Sequence, residues 1–279
     1  MKLFHGTSTK YLDSILRDGI QPRNATGIDT TDRFESGTDF LSAPNHVYLS
    51  RNSARYAIST PFADNDPGDE DLDAEAAVAH APVLIEIDSA NLDESKFRPD
   101  EDWLAILAYQ MRRSKCGQAD DLDTDEGFES LRQLQSEICA DMNLNSHLWE
   151  LCLERCGSVA HFGAIPTTAF SKVHILPLNN IQFTELALVV ECNCMQLPEH
   201  AEEQMHHAVL KWMVGHALSI DDWVPNAARL SKEQRRRIMS WTKVRPTVLR
   251  PGDMLAYRDS TLVHTLGSVK LQERENACA

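Results

Sequence analysis

Two residues whose side chains could do chemistry lie in short apolar segments of the N-terminal region. His5 stands directly before Gly6 and Thr7, and Tyr48 lies in an alternating segment. An imidazole can donate a hydrogen bond or move a proton near neutral pH, and a tyrosine ring can stack on a flat heterocycle. A glycine lets the backbone approach a ligand closely because it has no Cβ. These residue types suit a site that holds a ligand by hydrogen bonds and ring stacking.

The elements that must position these residues are predicted from local patterns. The spacing predicts a strand that ends near His5, a helix over 9–18 that Gly19 ends, and a strand over 46–50. A capping box, Ser231-x-x-Gln234, predicts the start of a C-terminal helix. Further strands are predicted at 82–88, 158–166 and 173–177, and further helices at 100–117, 128–139 and 146–155.

The mixture of strands and helices has no regular βαβ alternation and therefore predicts an α+β fold. The chain has 279 residues, of which 42% are hydrophobic, which is enough for one large domain with a smaller appendage. We place a boundary near residue 180. Residues 1–180 form the predicted domain with the candidate residues, and 181–279 form a mainly helical C-terminal extension.

The formal net charge of −15 opposes nonspecific binding to nucleic acid or to anionic lipid. The excess is concentrated in residues 64–75 and 120–129, which are predicted to be solvated loops. The chain contains no apolar run of about 18 residues that could span a membrane. Its N-terminus also lacks the apolar core of a signal peptide. We therefore expect a cytoplasmic protein without a membrane partner.

The seven cysteines are odd in number and irregular in spacing, unlike a disulfide framework. Cys192-Asn-Cys194, with histidines downstream, matches no common zinc-finger spacing. We therefore predict no metal site.

Three separated segments carry a resemblance to the ADP-ribosyltransferase superfamily. Phe4-His5-Gly6-Thr7, followed by an LxxIL helix and Gly-Ile-x-Pro, resembles the opening of that superfamily. Tyr48 within VYLS resembles the second motif, and GSVAHFGAIPTTAFSKVHI resembles the final strand and its "IP…I" turn. The pattern is most similar to the branch with bacterial and phage toxins and tRNA 2′-phosphotransferases. Over residues 2–178 the resemblance implies a split mixed β-sheet core and NAD+ as a substrate.

The resemblance also implies roles for the first group of residues. Cleavage of NAD+ expels neutral nicotinamide and leaves positive charge on the ribose, as in the oxocarbenium-like state of glycosidases. His5 would donate to a ribose hydroxyl, and Tyr48 would stack on the nicotinamide. Gly6 would let the backbone approach the carboxamide. Thr7 or Ser8 would bond nearby ribose or phosphate oxygens.

Two arginines and a third catalytic position are less sharply defined. Arg51 and Arg55 follow the second motif, where one could make a bidentate contact to the pyrophosphate or both could be surface residues. Many superfamily members place a glutamate on the later strand, where this chain has His161. His161 could act as a general base, but it cannot supply a carboxylate's charge beside an oxocarbenium ion. Glu154, in a predicted helix, is the alternative carboxylate.

The C-terminal region is locally basic, which indicates what kind of molecule could accept the ADP-ribosyl group. A basic patch with an aromatic residue suits single-stranded nucleic acid, although a charged helix face with the aromatic packed inward is the alternative. We expect an NAD+-dependent mono-ADP-ribosyltransferase of RNA or DNA, a toxin or phage-defence effector with an antitoxin protein as partner. The alternatives are a protein-modifying transferase and an inactive binding module of the same fold. The patch residues are Arg235, Arg236, Arg237, Trp241 and Lys243.

Overall fold

The computed structural model describes most of the elements predicted around the candidate residues. Contacts between residues divide the chain into two compact units. The first unit comprises Met1–Gly19, Asn52–Ser89 and Thr167–Ala279, and the second comprises Ile20–Arg51 and Ala90–Pro166. The described residues are 1–26, 43–52, 80–100, 103–104, 133, 146–176, 207–208, 210–223, 228, 230–241, 243 and 245–259.

The elements named below are those of the described residues. The strands are β1 (Lys2–Ser8), β2 (His46–Ser50), β3 (Pro82–Asp88), β4 (Phe97–Arg98), β5 (Ser158–Phe162), β6 (Phe170–Ile175) and β7 (Thr247–Leu249). The α-helices are α1 (Thr9–Asp18), α2 (Arg23–Thr26), α3 (Trp149–Cys156), α4 (Ile220–Trp223), α5 (Lys232–Trp241) and α6 (Pro251–Asp259). Short 3-10 turns occupy Ser89–Asn91, Glu94–Lys96, Ser146–Leu148 and Thr167–Ala169.

The first unit is built on four antiparallel strands in the order β1-β3-β6-β7. β3 has a strand on each side, and Val83, Leu84, Ile85 and Ile87 have no exposed surface. Burial of both faces explains why its sequence is nearly continuously apolar rather than alternating. Each fully buried aliphatic side chain of this kind contributes about 1.5–3 kcal/mol relative to an exposed one.

Helix α1 joins this core through one apolar face. Leu12, Ile15 and Leu16 are buried, which matches the spacing that predicted the helix. The helix ends as predicted at Gly19, whose positive φ of 80° suits a glycine and whose N–H donates to the Ile15 carbonyl at 2.9 Å.

The C-terminal region contributes a strand as well as helices to the first unit. β7 pairs with β6, and α6 contacts both α1 and β6. The contacts therefore group these residues with the N-terminal strands, which differs from the division predicted at residue 180. The capping box is confirmed, because Ser231 Oγ accepts from the Gln234 N–H at 3.1 Å and Gln234 Oε1 accepts from the Ser231 N–H at 2.9 Å.

The second unit contains three antiparallel strands in the order β4-β5-β2. Helix α3, within the region where a helix was predicted over 146–155, precedes β5 and ends at Gly157, which has a φ of 74°. The strand predicted at 158–166 ends earlier, at Phe162, because Gly163 turns the chain with a φ of 76° and donates its N–H to the Asn45 carbonyl. Ile165 then makes an isolated bridge with Ile20.

The structure confirms the predicted α+β class, whereas the ADP-ribosyltransferase fold stays a prediction. In the part of the chain that the structure describes, no helix combines the length and the apolar character needed to cross a membrane.

Candidate functional site

His5 and Gly6 are the least buried residues of β1 after Lys2 at its start. Leu3, Phe4 and Thr7 are buried, whereas His5 and Gly6 are half-buried. His5 pairs with Ile85 of β3, so it lies on the same face of the strand as Leu3 and Thr7. The sequence therefore leaves an imidazole partly accessible inside an otherwise buried strand.

The backbone conformation of Gly6 does not require a glycine. Its φ is not positive, and it continues the regular pairing of β1 opposite Leu84. Any residue could adopt this extended backbone. The property that distinguishes Gly6 is therefore its missing Cβ, as expected where a ligand approaches the backbone.

Tyr48 is half-buried on β2 and anchored at its hydroxyl. Its Oη accepts a hydrogen bond from the Ala43 N–H at 2.9 Å. Its ring packs against a buried cluster in the second unit, and Val47 and Leu49 on either side of it are buried. The hydroxyl thus fixes the ring against this cluster, and the side chain as a whole is half-buried. The cluster consists of Trp103, Leu104, Cys152 and Ala160.

His161 lies on the opposite face of the second unit's strands from Tyr48. Tyr48 pairs with Ala160, whereas His161 pairs with Val47. Residues directly opposite each other in an antiparallel pair point to the same side, and successive residues point to opposite sides. The structure therefore does not bring the predicted third catalytic residue to the Tyr48 face.

The surroundings of His161 are those of a packed core residue. Only 2% of it is exposed, and its ring meets the Phe97 ring edge-on at 5.6 Å. Its Nδ1 lies 3.3 Å from the Gly163 carbonyl, and its buried Nε2 has no hydrogen-bond partner among the described residues. Burial lowers the pKa of His161, and this outweighs the Gly163 carbonyl, which raises it. The side chain is therefore neutral at physiological pH.

The alternative carboxylate, Glu154, is exposed on α3, while Cys152 and Leu153 of the same helix are buried. This matches the solvent-facing position that helix patterning gives such a residue. Arg51 is exposed directly after β2, and its N–H donates to the Gly157 carbonyl at 2.7 Å. Arg55 lies outside the described residues.

The predicted basic patch is only partly described. Arg235 is half-buried and Arg236 is exposed on α5, and Lys243 is exposed beyond it. Arg236 Nη2 forms an ion pair with Glu233 Oε1 at 3.0 Å, which partly offsets its charge for any phosphate. The side chains of Arg237 and Trp241 lie outside the described part.

A buried acidic residue on β3 was missed in the sequence. Glu86 is 3% exposed, and its Oε1 accepts from Lys2 Nζ at 2.8 Å and from Ser171 Oγ at 3.0 Å. Its Oε2 lies 3.5 Å from His174 Nε2 and 3.8 Å from Lys172 Nζ. Burial would raise the pKa of Glu86, but the Lys2 and Ser171 hydrogen bonds and the lysine charges bring it below its ordinary value. The detectable signal was a lone glutamate inside the apolar segment PVLIEID.

Glu86 does not share the His5 face of β1 and β3. It pairs with Phe4, the neighbour of His5, so it points to the other side of the strands. It therefore forms a structural ion cluster and does not supply the carboxylate that the third motif lacks. Among the described residues, no group of three or more His, Cys, Asp and Glu side chains could hold a metal ion.

Taken together, the described residues give two partly accessible anchors, His5 in the first unit and Tyr48 in the second, and they assign no general base beside either. A comparison with protein-family models, with curated proteins and with solved structures finds no match to this chain.

Proposed function

We propose that this chain binds NAD+ through His5 and Tyr48 and transfers its ADP-ribosyl group to RNA or DNA, as a toxin or phage-defence effector. One observation carries the proposal. Each of the two residues is half-exposed on a strand whose adjacent apolar residues are buried. Residues of these types in accessible positions on rigid strands are suited to hold a ligand.

The proposed chemistry breaks the bond between the nicotinamide nitrogen and C1′ of the ribose. The His5 imidazole would donate to a ribose hydroxyl, and the Tyr48 ring, held by the Ala43 N–H at 2.9 Å, would stack on the nicotinamide. Neutral nicotinamide leaves, and a nucleophilic oxygen or nitrogen of the acceptor bonds to C1′ and loses its proton. We assign no protein base to that proton, because His161 faces away from Tyr48.

A second candidate function follows from the same placement. Transferase chemistry benefits from a negative charge that stabilises the oxocarbenium ion. His161 carries no such charge and lies on the opposite face from Tyr48, and the Glu154 carboxylate is exposed on α3. This favours, as the alternative, a module that binds NAD+ without transferring it. An antitoxin protein as partner belongs to the toxin proposal and stays a prediction.

The test of the enzymatic proposal is transfer of label from NAD+ labelled in its adenylate part. The full chain is incubated with RNA, single-stranded DNA or cell protein, and nicotinamide release is measured in parallel. Label on nucleic acid supports the proposal, and label only on protein redirects it to a protein acceptor. Binding without nicotinamide release supports the binding module. The absence of NAD+ binding rejects both functions.

Matched variants connect the activity to the two residues. His5→Ala and Tyr48→Ala should lower transfer, whereas His147→Ala, at an exposed histidine, and Tyr11→Ala, at a half-buried tyrosine of α1, should leave it unchanged. Loss of stacking on a base costs about 1–3 kcal/mol, so Tyr48→Ala should weaken NAD+ binding about 5- to 150-fold. Equal activity in all four variants would reject the site.

The nucleic-acid part has its own test. Replacing Arg235, Arg236 and Arg237 with Gln should weaken RNA binding and reduce the slope of log affinity against log salt by about 2, because up to three phosphate contacts are lost. Arg17→Gln removes an exposed arginine from α1 and is the control. An unchanged slope in the triple variant would remove the patch from the acceptor surface.

A further inference from the structure

Two cysteine thiols face each other across one turn of α3. Cys152 Sγ lies 3.4 Å from Cys156 Sγ. Residues four apart in an α-helix share a face. Their Cα atoms are about 6 Å apart, within the separation that a disulfide spans. The two sulfurs are thus already in contact. The Cβ atoms of residues four apart in a helix lie about 5–6 Å from each other, whereas a disulfide needs about 3.5–4.5 Å, so closing the bond also requires the last turn of α3, which ends at Cys156, to rearrange.

The two thiols differ in accessibility and in acidity. Cys156 is exposed and Cys152 is buried. The hydrogen bond with Cys152, together with the contacts of Cys156 with Ser158, lowers the pKa of Cys156 to about 7 despite partial burial. The bond with Cys156, followed by burial, raises the pKa of Cys152. The accessible sulfur is therefore the one that carries thiolate at neutral pH, which is the reactive form.

Ser158 contributes to this asymmetry from the first position of β5. Its Oγ lies 3.2 Å from Cys156 Sγ, where the hydroxyl can donate to a thiolate. Its carbonyl lies 3.2 Å from Cys152 Sγ and is a second possible acceptor for the single Cys152 hydrogen, besides Cys156 Sγ at 3.4 Å. The Asp100 N–H also donates to Cys152 Sγ at 3.2 Å. The buried sulfur is thus held in place by the backbone, and the exposed one is assisted by a hydroxyl.

We propose that Cys152 and Cys156 are a peroxide-reactive dithiol pair, in which Cys156 is oxidised first and Cys152 then closes a reversible disulfide. This proposal is independent of the NAD+ chemistry. It differs from a structural disulfide, because the resting state is the reduced pair. Transient disulfides of this kind are the ones found in a reducing compartment.

The proposed reaction has two steps. The Cys156 thiolate attacks one oxygen of a hydroperoxide; an S–O bond forms, the O–O bond breaks, and the leaving oxygen takes a proton as water or alcohol. Cys152 then loses its proton and attacks the Cys156 sulfenic sulfur; the S–S bond forms, the S–O bond breaks, and water leaves. In total, two thiols are oxidised and one hydroperoxide is reduced.

The experiment uses the reduced full chain treated with hydrogen peroxide, quenched by thiol alkylation and digested with trypsin. Cleavage after Arg155 puts the two cysteines on different peptides, 133–155 and 156–172, and a second cleavage before Asp141 separates Cys139 from Cys152. We expect a linked pair of peptides whose mass is lower by two hydrogens and which dithiothreitol separates. Failure of this pair to form while other cysteines are oxidised would overturn the proposal.

The order of reaction is tested on the unmodified chain and on variants. Cys156 should be alkylated about tenfold or more faster than Cys152, and Ser158→Ala should slow Cys156. Cys152→Ser should leave a Cys156 sulfenic acid that dimedone traps, whereas Cys156→Ser should yield no adduct at Cys152. Faster alkylation of Cys152 in the unmodified chain contradicts the proposed order even if Cys152→Ser does not fold.

Discussion

Because His161 lies in the core and away from Tyr48, variants at this position should change the free energy of unfolding without changing the rate of the chemical step. We consider His161→Leu, which keeps most of the side-chain volume and removes the polar atoms, and His161→Ala, which removes the ring. If His161 is a packed core residue, as its 2% exposure and its contact with Phe97 indicate, both variants change the free energy of unfolding. Neither should change the chemical step.

The magnitudes follow from two contacts. The buried Nε2 lacks a hydrogen-bond partner among the described residues, and an unpaired buried polar atom costs about 1–3 kcal/mol, which leucine would recover. Leucine loses the Nδ1 bond to Gly163 at 3.3 Å, which stabilises by about 0.5–1.5 kcal/mol. His161→Leu should therefore lie between about 0.5 kcal/mol less stable and about 2.5 kcal/mol more stable than the unmodified chain at pH 8, while His161→Ala leaves a cavity that costs about 2–4 kcal/mol.

The pH dependence gives a second signature. Burial lowers the pKa of His161 below 6.5, so below pH 6.5 the unfolded chain binds a proton that the folded chain does not bind. This contribution to stability is present above pH 6.5 and is lost as the pH falls toward the folded pKa. Leucine does not titrate, so His161→Leu should lose less stability than the unmodified chain between pH 8 and pH 5.

The assays are urea unfolding at both pH values and nicotinamide release by the folded variants. The reasoning predicts that nicotinamide release changes less than about twofold in either variant, whereas removal of a general base lowers the rate about 10²–10⁴-fold. A loss of that size in His161→Leu, with stability near that of the unmodified chain, would refute the opposite-face argument and restore His161 as a catalytic residue.

Three further predictions concern stability. Burial lowers the pKa of His46 to about 4, so the unmodified chain loses stability between pH 6.5 and pH 4 because the unfolded chain binds a proton there. His46→Phe should make this loss smaller by about 1–2 kcal/mol after a discount for solvent screening. Urea unfolding across that pH range measures the difference. Glu86→Gln should destabilise the fold by about 1–3 kcal/mol at pH 7. In thermal melts that difference should shrink as the pH falls below 4.5, because the lowered pKa of Glu86 makes its contribution disappear in acid. Gly163→Ala should cost about 1–2 kcal/mol, because its φ is +76° although a Cβ would meet nothing within 4 Å. Gly252→Ala, in α6 without positive φ, is the control, and equal melting temperatures for both variants would contradict the argument from φ.

The local elements could be predicted because their signals are local. The bounds of α1 follow from the apolar face that it buries and from Gly19 directly after it. The bounds of β3 agree with the apolar segment 82–88. The capping box at Ser231 needs only residues three positions apart. In each case the side chains that determine the element lie within it or at its ends.

The face on which His161 lies could not be predicted in this way. It depends on the register that sets Val47 opposite His161 and Tyr48 opposite Ala160, and a shift of one residue would have put His161 on the Tyr48 face. The register joins strands that are distant in the sequence, so no local pattern contains it. The Glu86 cluster was missed for a related reason, because its partners lie on two strands distant from β3 in the sequence, Lys2 on β1 and Ser171 and His174 on β6.

The central claim is that this chain binds NAD+ and that His5 and Tyr48 each contribute to the binding. Calorimetric titration of NAD+ into the unmodified chain, His5→Ala, Tyr48→Ala and the double variant tests it most directly, because it measures both the affinity and the number of NAD+ molecules bound per chain. We predict one NAD+ per chain, weaker binding in each single variant, and the weakest binding in the double variant. NAD+ binding of unchanged affinity in both single variants, or no binding by the unmodified chain, would contradict the claim.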